Sequence, residues 1–446
     1  MKVALYVHCF FPTHYHGTET YTLTLAKGLA ALGHEPTVIT ATPPGEPRQP
    51  EFIHEYVWEG IKVISIDKNE MPYATVRDTY HQPSMKPVHE QILQRLQPDI
   101  VHVCHVLHHS TALLHVTSQM NLPTIATFTD FFSFCYTNIL QAVDGTLCNG
   151  PNATRSNCVA CHLKILTAYD PVVRAVAHPR LVSYTSRFIA SLSRLAGDGF
   201  RTPWFRPHDL IDRPELLADA CTAYRLAIAP TKFLKTAYDK NGFDVPFLVS
   251  HFGIDINRDP KKSAPIESGH VRLGFIGQMK PHKGAHLLIE ALRVASRSNL
   301  SLTIWGSRAD DPRYYEQLKA ASTGLPIRFA GTFPVSEAAR VFSDIDFLVI
   351  PSTWYENSPL IMLQALATHT PVVVSDVPGM TEFVQHGRNG FHFPRGDTVA
   401  LTELLCRIAD TENLSRKMSL ETSYERTGRD MANDVVSAYE IALDER

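Results

Sequence analysis

Pro351-Ser-Thr-Trp-Tyr-Glu-Asn-Ser-Pro-Leu-Ile-Met-Leu-Gln-Ala365 is the most informative stretch of this chain. Four apolar residues of strand length, Phe347-Leu-Val-Ile350, precede it. Leu360 to Thr368 then reads as a helix, and Pro371-Val-Val-Val-Ser375 as the next strand. Strand, loop, helix, strand is a βαβ unit, whose crossovers make the sheet parallel. Ligands of open parallel sheets sit beyond the strand carboxyl ends, so the chemistry is expected in the loop that begins at Pro351. The helix that follows opens with unpaired backbone N–H groups and partial positive charge, which suit a diphosphate. Glu356 stands just before it, able to bond hydroxyls.

The same rhythm extends outward. Val271–Ile276, Ser301–Trp305 and Ile327–Phe329 read as strands of the same unit. Near the start, Lys2–Val7 is a strand and His14–Thr18 a Gly-containing loop. From Glu19 the spacing of Tyr21, Leu25, Leu29 and Leu32 predicts a helix capped by Gly33, and Thr37–Ala41 is the next strand. Ile100–Val103, Thr124–Phe128, Arg225–Ala229 and Phe247–Ser250 continue the series. The expected fold is α/β, with two Rossmann-like, doubly wound domains facing a central cleft. The first covers 1–252 with an insertion at 131–215, and the second covers 270–425. A polar, Pro-containing linker at 253–269 joins them, and a helix at 426–446 packs back toward the first domain.

Composition supports this and excludes other classes. The 446 residues are 44% apolar and 9% aromatic, enough for packed cores, and 42 Lys+Arg against 45 Asp+Glu leave a net charge of -3. A near-neutral chain is not expected to bind nucleic acid. It contains no apolar run long enough to span a membrane. The apolar start is broken by His8 and Pro12, so a first strand is expected rather than a leader, and the protein is expected in the cytoplasm. A nicotinamide enzyme is disfavoured, because Gly274, Gly277 and Gly284 do not have G-x-G-x-x-G spacing and Gly17 stands alone.

Residues 351–382 resemble the signature of the retaining nucleotide-sugar glycosyltransferases of family 4, which have the GT-B fold. Further resemblances follow in order: Gly17-Thr-Glu19, Pro98-Asp-Ile-Val-His-Val103, Ala229-Pro-Thr231, Phe252-Gly-Ile-Asp255, Gly274-Phe-Ile-Gly277 with Lys283-Gly284, and Asp346 with Pro351-Ser352. The resemblance implies a transferase that moves a sugar from a nucleotide-diphosphate sugar to a carbohydrate or lipid-linked acceptor, in surface polysaccharide or glycolipid assembly. It places Glu356, Lys283 and Asp130 in the catalytic set. It assigns donor binding to Gly17, Gly277, Gln278, Lys280, Lys283, Gly331, Thr332, Glu356, Asn357, Ser358, Pro359, Leu360 and Gln364. Glu19, Tyr21, His105 and Thr129 fall on the acceptor side. Three positions depart from the pattern. Gln278 stands for a phosphate-binding Arg, Gln364 for a second Glu, and Thr129 for a His beside Asp130. Lys280 is the nearest replacement cation for Gln278. These departures motivate the alternative of a non-catalytic nucleotide-sugar-binding or partner protein on the same fold.

The chemistry asked of such residues is to stabilise a leaving diphosphate while positive charge develops at the anomeric carbon. Lys283 and the helix start at Asn357–Leu360 serve the first need, and Glu356 positions the sugar. No Asp-x-Asp motif stands where a cation would hold the diphosphate, so metal-independent transfer with no cofactor is expected.

Cys135, Cys148, Cys158 and Cys161 form C-x12-C-x9-C-x2-C, and four thiolates suit a structural Zn²⁺. An iron–sulfur cluster or reduced core thiols are the competing readings. A similar Cys-bearing loop occurs in a subset of family-4 transferases. Cys9, Cys104, Cys221 and Cys406 read as scattered buried thiols.

Arg155 to Arg206 carries eight Arg/Lys and two Asp. Leu181, Tyr184, Phe188, Leu192 and Leu195 form an apolar stripe there, with Arg180, Arg187 and Arg194 beside it. Two readings compete: a helix that packs on the domain, which is preferred, and one that lies on an anionic membrane as a peripheral contact. His102, His105, His108 and His109 cluster in sequence without the spacing of a metal-binding helix.

Overall fold

Short runs of buried, mostly β-branched residues build two parallel sheets, as a computed structural model shows. It describes residues 1–167, 170–176, 181–202, 205–260 and 269–444. Arg180 and residues 261–268 of the linker at 253–269 therefore lie outside the described residues.

The first sheet has eight strands: β1 (Lys2–Tyr6), β2 (Glu35–Thr42), β3 (Ile53–Trp58), β4 (Ile61–Asp67), β5 (Ile100–Val103), β6 (Thr124–Thr127), β7 (Leu226–Ala229) and β8 (Phe247–Val249). Their order is β3-β4-β2-β1-β5-β6-β7-β8, with every pair parallel except β3 against β4. The chain reverses on either side of β1, which makes β1 and β5 the switch point of a doubly wound sheet.

The second sheet holds β9 (Val271–Ile276), β10 (Leu300–Trp305), β11 (Ile327–Gly331), β12 (Phe347–Ile350), β13 (Val372–Ser375) and β14 (Gly390–Phe393), in the order β11-β10-β9-β12-β13-β14. All of its pairs are parallel. Asp346 anchors this sheet: its carboxylate takes bonds from the Arg272 backbone N and from Nε and Nη2 of the same residue, at 2.8, 3.1 and 2.9 Å.

The chain divides into two compact units, Met1–Gly253 with Gly428–Arg446, and Ile254–Thr427. The helix Gly428–Asp444 packs on the helix Gly17–Ala31. Gly28 makes this fit, since a Cβ there would lie 2.7 Å from the Ala432 Cβ. Tyr439 then bonds His102 Nδ1 at 2.8 Å, and Arg225 reaches the Ala442 carbonyl.

Three strands were not expected from the sequence. β3 and β4 form a hairpin over Glu59-Gly60, both at positive φ, the backbone a two-residue turn requires. β14 closes the edge of the second sheet.

The stripe at 181–195 is a correction. The helix Val182–Ala196 packs through Val182, Ser186, Ile189, Ala190 and Ser193 instead. Leu181, Tyr184, Phe188 and Leu195 point outward, 52%, 72%, 68% and 86% exposed. The helix does pack on the domain, as preferred, but through the face opposite the stripe, because its smaller side chains fit against the helix Ser156–Leu166. Of the four remaining cysteines, Cys9, Cys104 and Cys221 are buried, while Cys406 is partly exposed.

Candidate functional site

In the second unit, two loops meet at the carboxyl ends of β9 and β12. The turn Pro281–Lys283 ends at Gly284, whose φ of +78° is left-handed and whose Cβ would lie 1.9 Å from the Pro351 carbonyl. Only glycine permits that approach. Thr353 N donates to the His282 carbonyl at 2.8 Å, tying the loops together. From the other side, a Cβ on Gly379 would lie 1.7 Å from the Glu356 carbonyl, and Asn357 bridges to Gly379.

These approaches bring Lys283 to Glu356. Oε1 of the buried Glu356 accepts from Lys283 Nζ at 2.8 Å, Ser352 Oγ at 2.6 Å and Trp354 Nε1 at 2.9 Å. Burial alone would raise the Glu356 pKa. The Lys283 ammonium and the three hydrogen bonds outweigh it and hold the carboxyl below its usual range. Lys283 also lies over the Trp354 ring, 4.7 Å from its centroid. Ser358, at φ +62°, turns the chain into Pro359, and the helix Leu360–Ala367 begins there with Gln364 one turn in.

Other predicted donor residues are placed less directly. Gly277 N donates to the Trp305 carbonyl at 3.1 Å. Gln278 is partly buried, and its carbonyl accepts from Lys280 N. Lys280 Nζ is held by the Asp310 carbonyl. Gly331, at φ +70°, and Thr332 are exposed at the end of β11.

In the first unit, Gly17 opens its helix with nothing within 4 Å of where a Cβ would stand. Thr18 and Thr129 share a hydroxyl bond at 2.8 Å. Asp130 Oδ2 pairs with His105 Nε2 at 3.0 Å and accepts from Asn138 Nδ2 at 2.6 Å, while Oδ1 accepts from Phe132 N at 2.9 Å. Burial would raise the Asp130 pKa, but His105 and these bonds lower it overall. His105 Nδ1 accepts from Leu107 N, which leaves the Nε2 proton directed at Asp130. Thr129 brings no imidazole to Asp130, but His105 does, from the end of a different strand. A pocket lined by His105, Thr129, Asp130 and Phe132 opens beside them. Tyr21 is buried instead, with its hydroxyl on Thr127 at 2.8 Å and its ring on Phe252. Glu19 is buried against His8, and burial raises its pKa.

The four loop cysteines are all free thiols, close enough that Cys135, Cys161 and Cys148 each push the Cys158 pKa further up, after burial. Cys158 and Cys161 lie one turn apart on the helix Ser156–Leu166. Arg213 is buried beside them, its Nη2 on the Phe132 carbonyl and its Nη1 without a hydrogen-bond partner.

Trp354, Asn138 and Arg213 were not singled out from sequence, and Ser352 only as part of the Pro351-Ser352 resemblance, with no role given. Ser352 and Trp354 stand inside the decisive stretch, so their nearness to Glu356 was a usable signal. Asn138 and Arg213 gave none, because their roles depend on tertiary contact.

Two families match this chain: "Glycosyltransferase Family 4" over residues 15–149 and "Glycosyl transferases group 1" over residues 270–411, together more than half of the sequence. A phosphatidyl-myo-inositol mannosyltransferase of Mycobacterium leprae is 30% identical over 171 residues, 36% of this chain and 44% of that protein. An alpha-maltose-1-phosphate synthase of Mycolicibacterium smegmatis is 30% identical over 175 residues, 37% and 41% of the two chains. The chain thus spans less than half the length of the curated relatives it matches. Among solved structures, Anabaena HepE in complex with UDP and glucose aligns with a TM-score of 0.61 at 14% identity, over 99% of both chains. A sucrose-phosphate synthase from Thermosynechococcus elongatus aligns with a TM-score of 0.61 at 16% identity, over 100% of this chain and 97% of that one. Two parallel-sheet units, the order of the motifs along them and these matches agree: the chain belongs to the family 4 glycosyltransferases, with the GT-B fold.

Proposed function

We propose that this protein transfers a sugar, with retention of anomeric configuration, from a nucleotide-diphosphate sugar to a carbohydrate or lipid-linked acceptor in the assembly of a cell-surface polysaccharide or glycolipid. The observation that carries the reading is the convergence of Lys283, Ser352 and Trp354 on one oxygen of Glu356, just before the helix Leu360–Ala367. This holds Glu356 ionised, and none of the three bonds uses Oε2, which is left to accept sugar hydroxyls. An ammonium has three protons, so Lys283 keeps its bond to Glu356 and still offers donors to the diphosphate. The helix start adds backbone N–H groups to the same charge. On the acceptor side, His105 and Asp130 hold the acceptor hydroxyl, and the transfer itself needs no metal.

A structural zinc ion on Cys135, Cys148, Cys158 and Cys161 belongs to the same reading. Four thiolates around Zn²⁺ leave a charge of about −2, and the buried, half-unpaired Arg213 guanidinium offsets it. The outward stripe Leu181, Tyr184, Phe188 and Leu195, with Arg187 and Arg194 exposed on the same helix, supports peripheral attachment to an anionic membrane, on its cytoplasmic face. Among the described residues, no helix is long and apolar enough to cross a membrane.

A thermal-shift screen against UDP-, GDP-, ADP- and dTDP-sugars tests the reading. One nucleotide class should stabilise the chain selectively, and Glu356→Ala should abolish turnover of that donor. Stabilisation by none, or unchanged turnover in Glu356→Ala, would leave the non-catalytic alternative standing.

A further inference from the structure

Where β1 ends, the chain places three different metal-ligating side chains together: His8 and Cys9 in sequence, and Glu19 ten residues later, in the first turn of the helix Gly17–Ala31. One nitrogen, one sulfur and one carboxylate oxygen from these residues lie within 4.8 Å of one another. Among the described residues this is the one group of three or more candidate ligands to converge so closely; the four loop thiols do not.

Two features separate the group from an ordinary ion pair. Glu19 and Cys9 are only 2% and 5% exposed. Within this enclosed space, Glu19 Oε2 and His8 Nδ1 have no hydrogen-bond partner. A simple pair would satisfy its buried polar atoms, as His105 and Asp130 do nearby. The spacing also comes within about 0.1 Å of what one ion requires. Two oxygen or nitrogen ligands about 2.0–2.2 Å from a tetrahedral centre lie about 3.3–3.6 Å from each other. His8 Nε2 and Glu19 Oε1 are 3.2 Å apart.

We propose that His8, Cys9 and Glu19 bind a divalent transition metal ion of the zinc class, separate from the four-cysteine loop. The donor set selects the ion: imidazole and thiolate favour zinc-class metals, whereas magnesium and calcium require oxygen ligands. Three protein ligands leave a fourth position open, the pattern of exchangeable rather than purely structural sites. Its occupant is water. The His105 ring, 4.3 Å from that of His8 and held by Asp130, forms one wall of the site.

The test uses the full chain with Cys158→Ser and Cys161→Ser introduced, so that the loop does not contribute, and Co²⁺ as the probe. One equivalent of Co²⁺ should bind with tetrahedral absorption bands and a sulfur-to-cobalt band of one-thiolate intensity. Cys9→Ser should remove the sulfur band, and Glu19→Gln should weaken binding at least tenfold. Failure of Co²⁺ to bind, or a spectrum and affinity unchanged by both substitutions, overturns the proposal. If these variants do not fold, X-ray absorption on the zinc-loaded, unsubstituted chain decides: a component with one sulfur supports the site, and zinc bound by four sulfurs alone, or no bound zinc, overturns it. None of these readouts depends on donor turnover, so failure of the transferase reading leaves the result interpretable.

Discussion

Three hydrogen bonds on one oxygen of Glu356 make it the residue whose loss is easiest to foresee. Glu356→Gln keeps the volume but leaves the Lys283 ammonium over Trp354 without its counter-charge. Stability of the second unit should fall by about 1–3 kcal/mol, the cost of an unsatisfied partly buried group, and donor turnover should fall at least tenfold; urea titration and a transfer assay read the two. The pH dependence has a definite sign. A carboxyl whose pKa is lowered on folding stabilises above its unfolded value and loses that contribution as pH falls through the folded one. Wild type should therefore keep the Glu356 contribution at pH 5, and the Glu356→Gln deficit should shrink only below about pH 4. At this scale the sequence revealed identities but not pairings. Glu356 and Lys283 were both visible, yet 73 residues separate them, and no spacing rule predicts that they share a bond. Tyr21 shows the limit from the other side: the resemblance implied an acceptor-side role, while its helical spacing with Leu25 and Leu29 puts it on the buried face, against Phe252.

Two elements give sharper tests than any single side chain. The left-handed turn at Gly284 sets how closely its loop approaches Pro351, so Gly284→Ala must push the two loops apart. The expected result is a loss of about 2 kcal/mol or more, with weakened binding of the stabilising nucleotide, measured by thermal shift. The helix Val182–Ala196 carries the second test. Tyr184→Asp with Phe188→Asp should abolish flotation with anionic liposomes at low salt and leave the folding free energy within about 1 kcal/mol of wild type, because neither side chain packs inside. Equal flotation by the double variant would remove the membrane reading. Periodicity showed that this helix has an apolar face but not which way it turns, since small residues on the opposite face packed more closely. β3 escaped notice for a related reason: an edge strand with His54, Glu55 and Tyr56 does not read as a buried run, and its turn is set by backbone angles at Glu59 and Gly60.

At the scale of the whole chain, the two units should respond differently to acid. In the first, burial lowers His89 to about 4, and His102 and His108 to about 3. These imidazoles are neutral when folded and protonate in the unfolded chain below about pH 6.5. The unfolded state then binds more protons, so stability falls as pH drops, by about 1.4 kcal/mol per histidine per pH unit. Calorimetry between pH 7.5 and 5.5 should show the transition of the first unit moving down well before Glu356 titrates in the second. A transition independent of pH over that range would contradict the neutral, buried assignment. Fold class was largely legible, since parallel strands buried on both faces write themselves as short apolar runs at regular intervals. The histidine-rich interior of the first unit was not, because residues polar in isolation become buried only when distant partners satisfy them, as Tyr439 does for His102. That contact has a consequence for biosynthesis. Ile254–Thr427 is synthesised before Gly428–Asp444, yet that later helix completes the unit begun at Met1. Nascent chains usually fold from the amino terminus onward. Here the middle of the polypeptide has all its parts first, while residues 1–253 wait with His102 and the Gly28 surface uncovered until the helix Gly428–Asp444 emerges.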